Sequence, residues 1–342
     1  FQPQHAIQLF SLACWVAMIF VAERLLSHLL PSHRRWKSLL LALFAFWPSG
    51  IILSARIGND PLLSLFSMIA LWQTLLWWEK KEQRHYFWAL IAASLALMTK
   101  ASGLVPLAVL LFFTLLHLLQ KRVLPLSRLS LIAILFIAFS VSFGRNLYGS
   151  LKGESHLLMG DSGKGMNREL LVGNNLSNYL QFDLHTFLHY PYLSVWKDEG
   201  GRQFFGNTLL RSSLSGEFDL GTANRFPSLL MGYSLLMIVI GSIVLLMIHW
   251  RKLLQPRWLP LWSSLLLYLI ALIYFRASAP YACHNDFRLI FPALLPAIGL
   301  LSIGGIDNSI TASRQGEIAL RFSLAIPIVV LTLSSVAIWL TI

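Results

Sequence analysis

Charged residues are scarce in this chain, and acidic residues are the scarcest. Only 12% of the 342 residues are Asp, Glu, Lys or Arg, and only 15 residues are acidic, whereas an average soluble domain is about 25% charged. Hydrophobic residues make up 56% of the sequence. So few charges cannot cover the surface of a soluble domain. The composition excludes that class and predicts an all-α, polytopic integral membrane protein.

Cysteine is almost absent, and this limits the site chemistries that the chain can support. Its two cysteines, Cys14 and Cys283, do not make a disulfide framework. His185 and His189 are four residues apart, but no third ligand follows them at the spacing of a zinc site. We therefore assign no metal site and no cofactor from the sequence, and leave a divalent cation open.

Long apolar runs dominate what is present, and most are long enough to cross a bilayer, which takes about 17–25 helical residues. The run 87–119 is too long for one span and is interrupted by Thr99–Gly103 and by Pro106, so we expect a helical hairpin whose turn carries Lys100. This gives about ten transmembrane helices. They are 7–22, 39–55, 62–78, 87–98, 103–119, 129–144, 228–249, 259–275, 289–305 and 322–342.

The distribution of basic residues predicts the orientation of these helices. If the first segment runs inward, nearly all of the formal charge of +12 falls on one set of loops, as expected for cytoplasmic loops. This charge suits anionic lipid heads rather than nucleic acid. We expect a multi-pass protein of the cell inner (plasma) membrane, with its active site facing the periplasm or exterior.

The same topology divides the chain into three parts. Residues 1–144 form helices 1–6 with the outer-face motifs, 145–227 form one long extracytoplasmic loop, and 228–342 form helices 7–10. We expect short amphipathic helices in the loop, at 176–193 and 203–215. They would act as a mobile cover over an outer cavity or as a structural plug.

A polar hexapeptide, 56–61, lies between two apolar segments at the outer rim. A cation and a carboxylate at the rim suit a lipid-linked phosphate, which Arg56 would contact, and an acceptor hydroxyl, which Asp60 would activate. Simpler roles are also open: Arg56 could snorkel to the headgroups, and Asn59 or Asp60 could cap the helix that begins at Pro61.

Lys100 lies in a turn between hydroxyl residues, with Thr99 before it and Ser102 after it. An ammonium group, small hydroxyl donors and the backbone N–H groups near Gly103 make a cradle for an anion, most naturally a phosphate. Snorkelling of Lys100 is the alternative.

Two further outer motifs supply Arg145 and the pair Asp286 and Arg288. Either arginine could simply mark the interface, and Asp286 could pair with Arg288 structurally. Together with Arg56 and Lys100, the two arginines would make a cationic outer pocket for a phosphorylated ligand.

Four motifs occur in this order along about residues 1–305, and their spacing and helix-end placement resemble the GT-C membrane glycosyltransferases. The most similar branch is the bacterial relatives of dolichyl-phosphate-mannose protein mannosyltransferases and of the lipid A aminoarabinose transferase. The motifs are Arg56-Ile-Gly-Asn-Asp-Pro-Leu, Leu97-Met-Thr-Lys-Ala-Ser-Gly-Leu, Arg145-Asn-Leu-Tyr-Gly and Cys283-His-Asn-Asp-Phe-Arg-Leu-Ile-Phe-Pro.

The resemblance implies a reaction and its partners. A sugar would move from a polyprenyl-phosphate donor to a lipid, glycan or protein acceptor at the outer face. Arg56 and Lys100 would neutralise the departing phosphate, and Asn59 and Asp60 would line the donor or acceptor site. Members of this superfamily usually carry the principal catalytic Asp or Glu in a first outer loop. We therefore expect that carboxylate upstream of Phe1 and expect these 342 residues alone to be inactive. The alternatives are that Asp60 serves as the base or that the protein is not catalytic.

Two other classes stay open at this point. One is a lipid-linked oligosaccharide ligase or polymerase, which uses a diphosphate-linked donor. The other is a noncatalytic transporter or flippase for a phosphorylated lipid, although the scarcity of charge in the helix centres disfavours ion-coupled transport.

Overall fold

The structure is a computed structural model that describes residues 3–121, 128–152, 171–189, 203–216, 220, 224–305 and 314–341. Within these ranges the chain is built from α-helices joined by short turns and four 3₁₀ segments. The α-helices are α1 (Pro3–Leu29), α2 (Arg34–Ala45), α3 (Pro48–Ala55), α4 (Asp60–Lys80), α5 (Gln83–Thr99), α6 (Leu104–Lys121), α7 (Arg128–Leu151), α8 (Leu176–Leu180), α9 (Leu184–His189), α10 (Phe205–Ser215), α11 (Arg225–Ile248), α12 (Trp250–Leu253), α13 (Leu259–Ser278), α14 (Leu294–Leu301) and α15 (Arg314–Thr341).

Six of these helices contain stretches that are long and apolar enough to cross a membrane, which confirms the expected all-α membrane architecture in outline. The bent pair α2 and α3, which meet at 50°, would make a seventh span if the two count as one. The six stretches are Gln4–Leu29, Asp60–Lys80, Ala101–Gln120, Arg225–Ile248, Leu259–Ser278 and Ser323–Leu340.

The expected count of ten spans is not confirmed, and local chemistry explains part of the difference. The segment 289–305 is divided among a 3₁₀ segment, Phe287–Ala293, the short helix α14 and a second 3₁₀ segment, Ser302–Gly305. Pro292 lies inside the first of these, and Ile290 has a non-helical backbone there. Proline removes one helical hydrogen bond and blocks another, so a continuous helix does not form.

The chain divides into two compact units. The first comprises Phe1–Val21, Ser54–Met166 and Leu254–Ala271, and the second comprises Ala22–Leu53, Asn167–Leu253 and Leu272–Ile342.

The first unit has its hydrophobic core where α4, α5, α6 and α7 pack together. Aromatic side chains fill it: Trp77 lies 4.8 Å from Tyr86, and Trp78 lies 4.8 Å from Phe113, measured between ring centroids. Burial of each such side chain contributes about 1.5–3 kcal/mol. This core fixes α4 against α5, the two helices whose ends carry Asp60 and Lys100.

In the second unit, α11 packs along α15, and α2 packs against α14 and α15. Gly241 of α11 allows the close approach, because a Cβ atom there would lie 2.6 Å from the Cδ2 atom of Leu324. The indole N–H of Trp36 donates to the Leu301 carbonyl at 3.2 Å and so ties α2 to α14.

The long loop does contain short helices, as expected. The helix predicted at 203–215 is α10, whereas the one predicted at 176–193 is divided into α8 and α9 within the described residues. Asn207 of α10 joins them, since its side chain accepts from the Asp183 N–H at 2.9 Å and donates to the Asp183 carbonyl at 2.8 Å.

Helix α10 also carries an unusually buried charge. Arg211 is 1% exposed, and burial lowers its pKa to about 10 while the charge of Asp183 acts in the opposite direction. Hydrogen bonds from Thr186 keep the pKa of Asp183 below its usual value. Arg211 and Asp183 are therefore both ionised at neutral pH.

Candidate functional site

The turn before α4 brings the first candidate residues into position. Asn59 occupies the N-cap position of α4, and Pro61 lies in its first turn, where its fixed φ suits the helix. The Asn59 side chain makes no cap hydrogen bond. Its amide instead donates to the Thr99 carbonyl at 3.1 Å. Asn59 therefore satisfies a carbonyl at the end of α5 and ties the beginning of α4 to the end of α5.

The turn that carries Lys100 forms as expected from the sequence. Helix α5 ends at Thr99, and Lys100 has an extended backbone with φ −162° and ψ 149°. A 3₁₀ segment, Ala101–Gly103, then leads into α6. The Lys100 N–H donates to the Ala96 carbonyl at 3.1 Å, and the Lys100 carbonyl accepts from Gly103 at 2.9 Å. The backbone on both sides of Lys100 is therefore fixed.

Gly103 lets this turn close tightly. A Cβ atom at Gly103 would lie 2.2–2.3 Å from the carbonyl group of Ala96 and from the Leu97 nitrogen. No side chain fits at that distance, so the turn requires glycine for close approach rather than for an unusual φ.

An ion pair joins the two turns. The Lys100 Nζ atom lies 2.7 Å from the Asp60 Oδ1 atom, and the side chains are 35% and 13% exposed, respectively. Asp60 also lies in the first turn of α4, where the helix dipole stabilises negative charge. The two groups proposed for catalysis and for phosphate binding are therefore in direct contact.

The two hydroxyls beside Lys100 have different surroundings. Thr99 donates its hydroxyl to the Leu95 carbonyl of its own helix at 2.7 Å. The Ser102 Oγ atom is buried and makes no hydrogen bond among the described residues. Of the two hydroxyls expected to donate to an anion, Ser102 has its donor available, whereas Thr99 would first have to leave Leu95.

Arg56 and Arg145 belong to the same unit as Lys100. The Arg56 carbonyl accepts from the Ser11 hydroxyl at 2.7 Å, which fixes the backbone at this end of α3. Arg145 lies within α7, which continues to Leu151. The sequence predicted that this helix ends at Gly144, but residues 145–151 are also helical. The position of the Arg145 side chain lies outside the described part of the structure.

Asp286 and Arg288 belong to the second unit. The Asp286 carboxylate is 3% exposed and accepts from the Arg288 backbone N–H at 2.8 Å, which caps the 3₁₀ segment Phe287–Ala293. Asp286 thus has a structural cap role that the sequence did not predict. A pocket that joins Arg288 to Arg56 and Lys100 stays a prediction.

No metal centre forms among the described residues, since nowhere in them do three His, Cys, Asp or Glu side chains come together. Neither Cys14 nor Cys283 forms a disulfide, and both are buried. A divalent cation therefore has no ligand set to which we can assign it.

Sequence reasoning missed two buried polar residues in the second unit. Arg276 ends an apolar segment, where a lipid-facing arginine would look the same in sequence, yet it is 1% exposed. Asn285 lies inside a recognised motif but is wholly buried. The sequence contains the residue types, and only the fold shows that they are buried.

Comparison of the chain with family models, with curated proteins and with solved structures finds no match in any of the three. A function can therefore be proposed only from the residues and geometry described above.

Proposed function

We propose that this protein is a membrane glycosyltransferase of the GT-C type, which moves a sugar from a polyprenyl-phosphate donor to an acceptor hydroxyl. The observation that carries the proposal is the contact between Asp60 and Lys100. Transfer of this kind needs a carboxylate to accept the hydroxyl proton and a cation to stabilise the departing phosphate. These two groups meet where one apolar helix begins and another ends.

In the proposed reaction, the acceptor hydroxyl displaces the phosphate from the sugar. The acceptor oxygen forms a bond to the anomeric carbon as the bond from that carbon to the phosphate oxygen breaks. The acceptor proton passes to the Asp60 carboxylate, and the phosphate leaves with the electron pair and an additional negative charge. Lys100 stabilises that charge. In this scheme the arriving phosphate competes with Asp60 for Lys100, which makes the carboxylate available to the acceptor.

The other motif residues take supporting roles in the proposal. Arg56 and the Ser102 hydroxyl contact the phosphate, and Asn59 lines the sugar or acceptor site while it holds the turn. Thr99 and Arg145 are proposed to add to the substrate-binding surface of the first unit, Asp286 and Arg288 are proposed to bind substrate in the second unit, and a divalent cation stays open as a cofactor. The partners are the donor lipid, a lipid, glycan or protein acceptor, and the surrounding membrane lipids.

The membrane arrangement belongs to the same proposal. We infer a multi-pass protein of the cell inner membrane with about ten spans: the six long apolar stretches, the bent pair of α2 and α3, helices α5 and α7, and the interrupted segment 289–305. The concentration of basic residues in one set of loops supports an outward-facing site.

Two measurements on matched variants test the proposal. Donor binding is measured on purified protein in uncharged micelles by titration with a polyprenyl-phosphate sugar. Transfer is measured in membranes that carry the complete gene product, as radiolabelled sugar lost from the polyprenyl phosphate. Lys80→Gln is the control, because exposed Lys80 lies at the opposite end of α4, about 30 Å from Asp60 at the helical rise.

The expected results separate the two roles. Lys100→Gln should weaken donor binding at least about tenfold, which is typical when a charge-assisted hydrogen bond is lost. Asp60→Asn should leave binding within about threefold but lower transfer by about 10² or more. Lys80→Gln should change neither. If Lys100→Gln and Asp60→Asn both leave binding and transfer unchanged, the assignment of the site is wrong.

The same assays distinguish the two alternative functions. Preferential binding of a diphosphate-linked glycan would indicate a lipid-linked oligosaccharide ligase or polymerase. Movement of the donor between leaflets without loss of its sugar would indicate a flippase.

A further inference from the structure

The last turn of α13 in the second unit carries a buried arginine, Arg276, which the proposed function does not use. Its side chain is among the largest fully buried ones in the described residues. A short segment, 171–181, lies against it. Arg276 donates to the Gly173 carbonyl at 3.4 Å, and its guanidinium lies 5.9 Å from the centre of the Tyr179 ring.

The segment is fastened on both sides of this contact. The Val172 N–H donates to the Pro280 carbonyl at 2.8 Å, and the Asn174 amide donates to the Ala277 carbonyl at 2.7 Å. The Gly173 carbonyl also accepts from the Asn178 side chain. The bond from Arg276 to Gly173 is therefore long, shared with a better donor, and weak.

Arg276 is not needed to cap the end of its helix. Asn174 occupies the Ala277 carbonyl, and the Ala279 carbonyl accepts from the Tyr281 N–H at 2.8 Å and contacts the His284 ring at 2.7 Å. These two carbonyls, which a C-terminal arginine could otherwise satisfy, already have donors.

Most of the hydrogen-bonding capacity around Arg276 is unused. Its Nε and Nη1 atoms are buried and have no hydrogen-bond partner in the described part of the chain. In the 3₁₀ segment that follows α13, Asn285 is fully buried, and neither its Oδ1 nor its Nδ2 atom has a partner there. Buried polar groups are nearly always hydrogen-bonded, so these atoms are available to water or to a bound group.

The absence of a counter-ion for Arg276 among the described residues also favours a bound anion. Among the described residues, no carboxylate lies within ion-pair distance of Arg276. His284 cannot act as the counter-ion, because an imidazole ring is either neutral or positively charged. A buried cation without a counter-ion costs several kcal/mol, whereas a bound anion removes that cost.

We propose that Arg276 and Asn285 form an anion-binding site for a phosphate group, separate from the Asp60–Lys100 pair and independent of the proposed transferase activity. The planar guanidinium offers parallel N–H donors that match two phosphate oxygens, and the Asn285 amide adds a third donor. Gly173, Asn174 and Tyr179 form an outer edge that is exposed or half-buried and gives the phosphate access. The phosphate belongs either to a lipid headgroup or to a soluble phosphate.

The test measures thermal stability as phosphate is supplied from each source. All proteins carry Lys100→Gln, so that the Asp60–Lys100 site does not contribute.

In one arm, purified protein in uncharged micelles receives potassium phosphate or, as a control, potassium chloride at equal ionic strength. In the other arm, protein in phosphatidylcholine vesicles is compared with and without phosphatidic acid. Arg276→Gln is the test variant, and Arg251→Gln is the control, because Arg251 is an exposed arginine of the same unit.

We expect the parent and the Arg251→Gln variant to gain stability with phosphate in at least one arm, and the Arg276→Gln variant to bind at least about tenfold more weakly. A response to inorganic phosphate identifies a soluble ligand, and a response to phosphatidic acid alone identifies a lipid headgroup. The proposal is overturned if the parent responds in neither arm, or if Arg276→Gln responds as the parent does. If Arg276→Gln does not fold, Arg276→Lys replaces it. The same tenfold loss is expected, because lysine lacks the planar guanidinium that binds two phosphate oxygens at once. If Arg276→Lys binds phosphate as tightly as the parent, the site is refuted.

Discussion

Replacement of Gly103 by alanine should disrupt the turn that positions Lys100. The added methyl group would lie 2.2–2.3 Å from backbone atoms of Ala96 and Leu97. Those atoms belong to α5, whose buried residues pack in the core of the first unit. Since the obstacle is a helix backbone rather than the tip of a flexible side chain, the turn itself must move.

The size of the effect follows from that geometry. Carbon atoms make favourable contacts at about 3.5–4.0 Å, so the turn has to shift by more than about 1 Å. Insertion of a methyl group into a packed site costs typically 1–3 kcal/mol, and a clash with backbone belongs at the upper end. We expect a loss of about 3 kcal/mol, which corresponds to roughly a 150-fold change in the folding equilibrium.

A matched control separates this clash from a general effect of alanine. Gly58 lies in the exposed turn before α4, with nothing within 4 Å of its added Cβ atom and without the left-handed φ that would require glycine. Gly58→Ala should therefore not reduce stability.

Chemical denaturation in mixed micelles, followed by tryptophan fluorescence, compares the two variants with the parent. Gly103→Ala should unfold at a clearly lower denaturant concentration. If it unfolds together with Gly58→Ala, Gly103 does not approach α5 as closely as described, and the fixed position of Lys100 is lost with it.

Three further predictions concern single contacts. A double-mutant cycle with Asp60→Asn and Lys100→Gln should give a coupling of about 1 kcal/mol in chemical denaturation, as for a partly exposed ion pair; a coupling near zero would show that the contact does not contribute. Asn207→Leu should lower the free energy of unfolding by about 2–3 kcal/mol, because both backbone groups of Asp183 lose their partner, and an unchanged thermal midpoint would contradict this. Because burial lowers the pKa of His284 from 6.5, the unfolded chain binds the proton more readily. Stability should therefore be full above about pH 6.5 and fall as the pH drops below it; His284→Gln should reduce this pH dependence, and a variant with the same pH profile as the parent would refute the explanation.

The turn at Lys100 shows what the sequence can predict. Polar and small residues from Thr99 to Gly103 interrupt a long apolar run, and Pro106 suits the first turn of a new helix. Those signals are local, and the break between α5 and α6 lies where they predict it.

The ion pair of Asp60 and Lys100 shows what the sequence cannot predict. The two residues are 40 positions apart, and nothing local specifies that α4 and α5 pack so that their ends meet. The same limit applies to Asn59, which looks like a helix cap in sequence and instead binds the Thr99 carbonyl. Both contacts depend on how the aromatic core aligns the helices, which is a property of packing rather than of pattern.

The fastening of the segment 171–181 to the end of α13 has a consequence for the order of synthesis. Asn174 bonds to Ala277 across 103 residues of sequence. At about 5–20 residues per second, roughly 5–20 seconds pass between the synthesis of the two partners. During that time the segment has emerged from the ribosome but cannot settle, because the helix that receives it does not yet exist. The contacts around Arg276 therefore form late, after α13 has been synthesised.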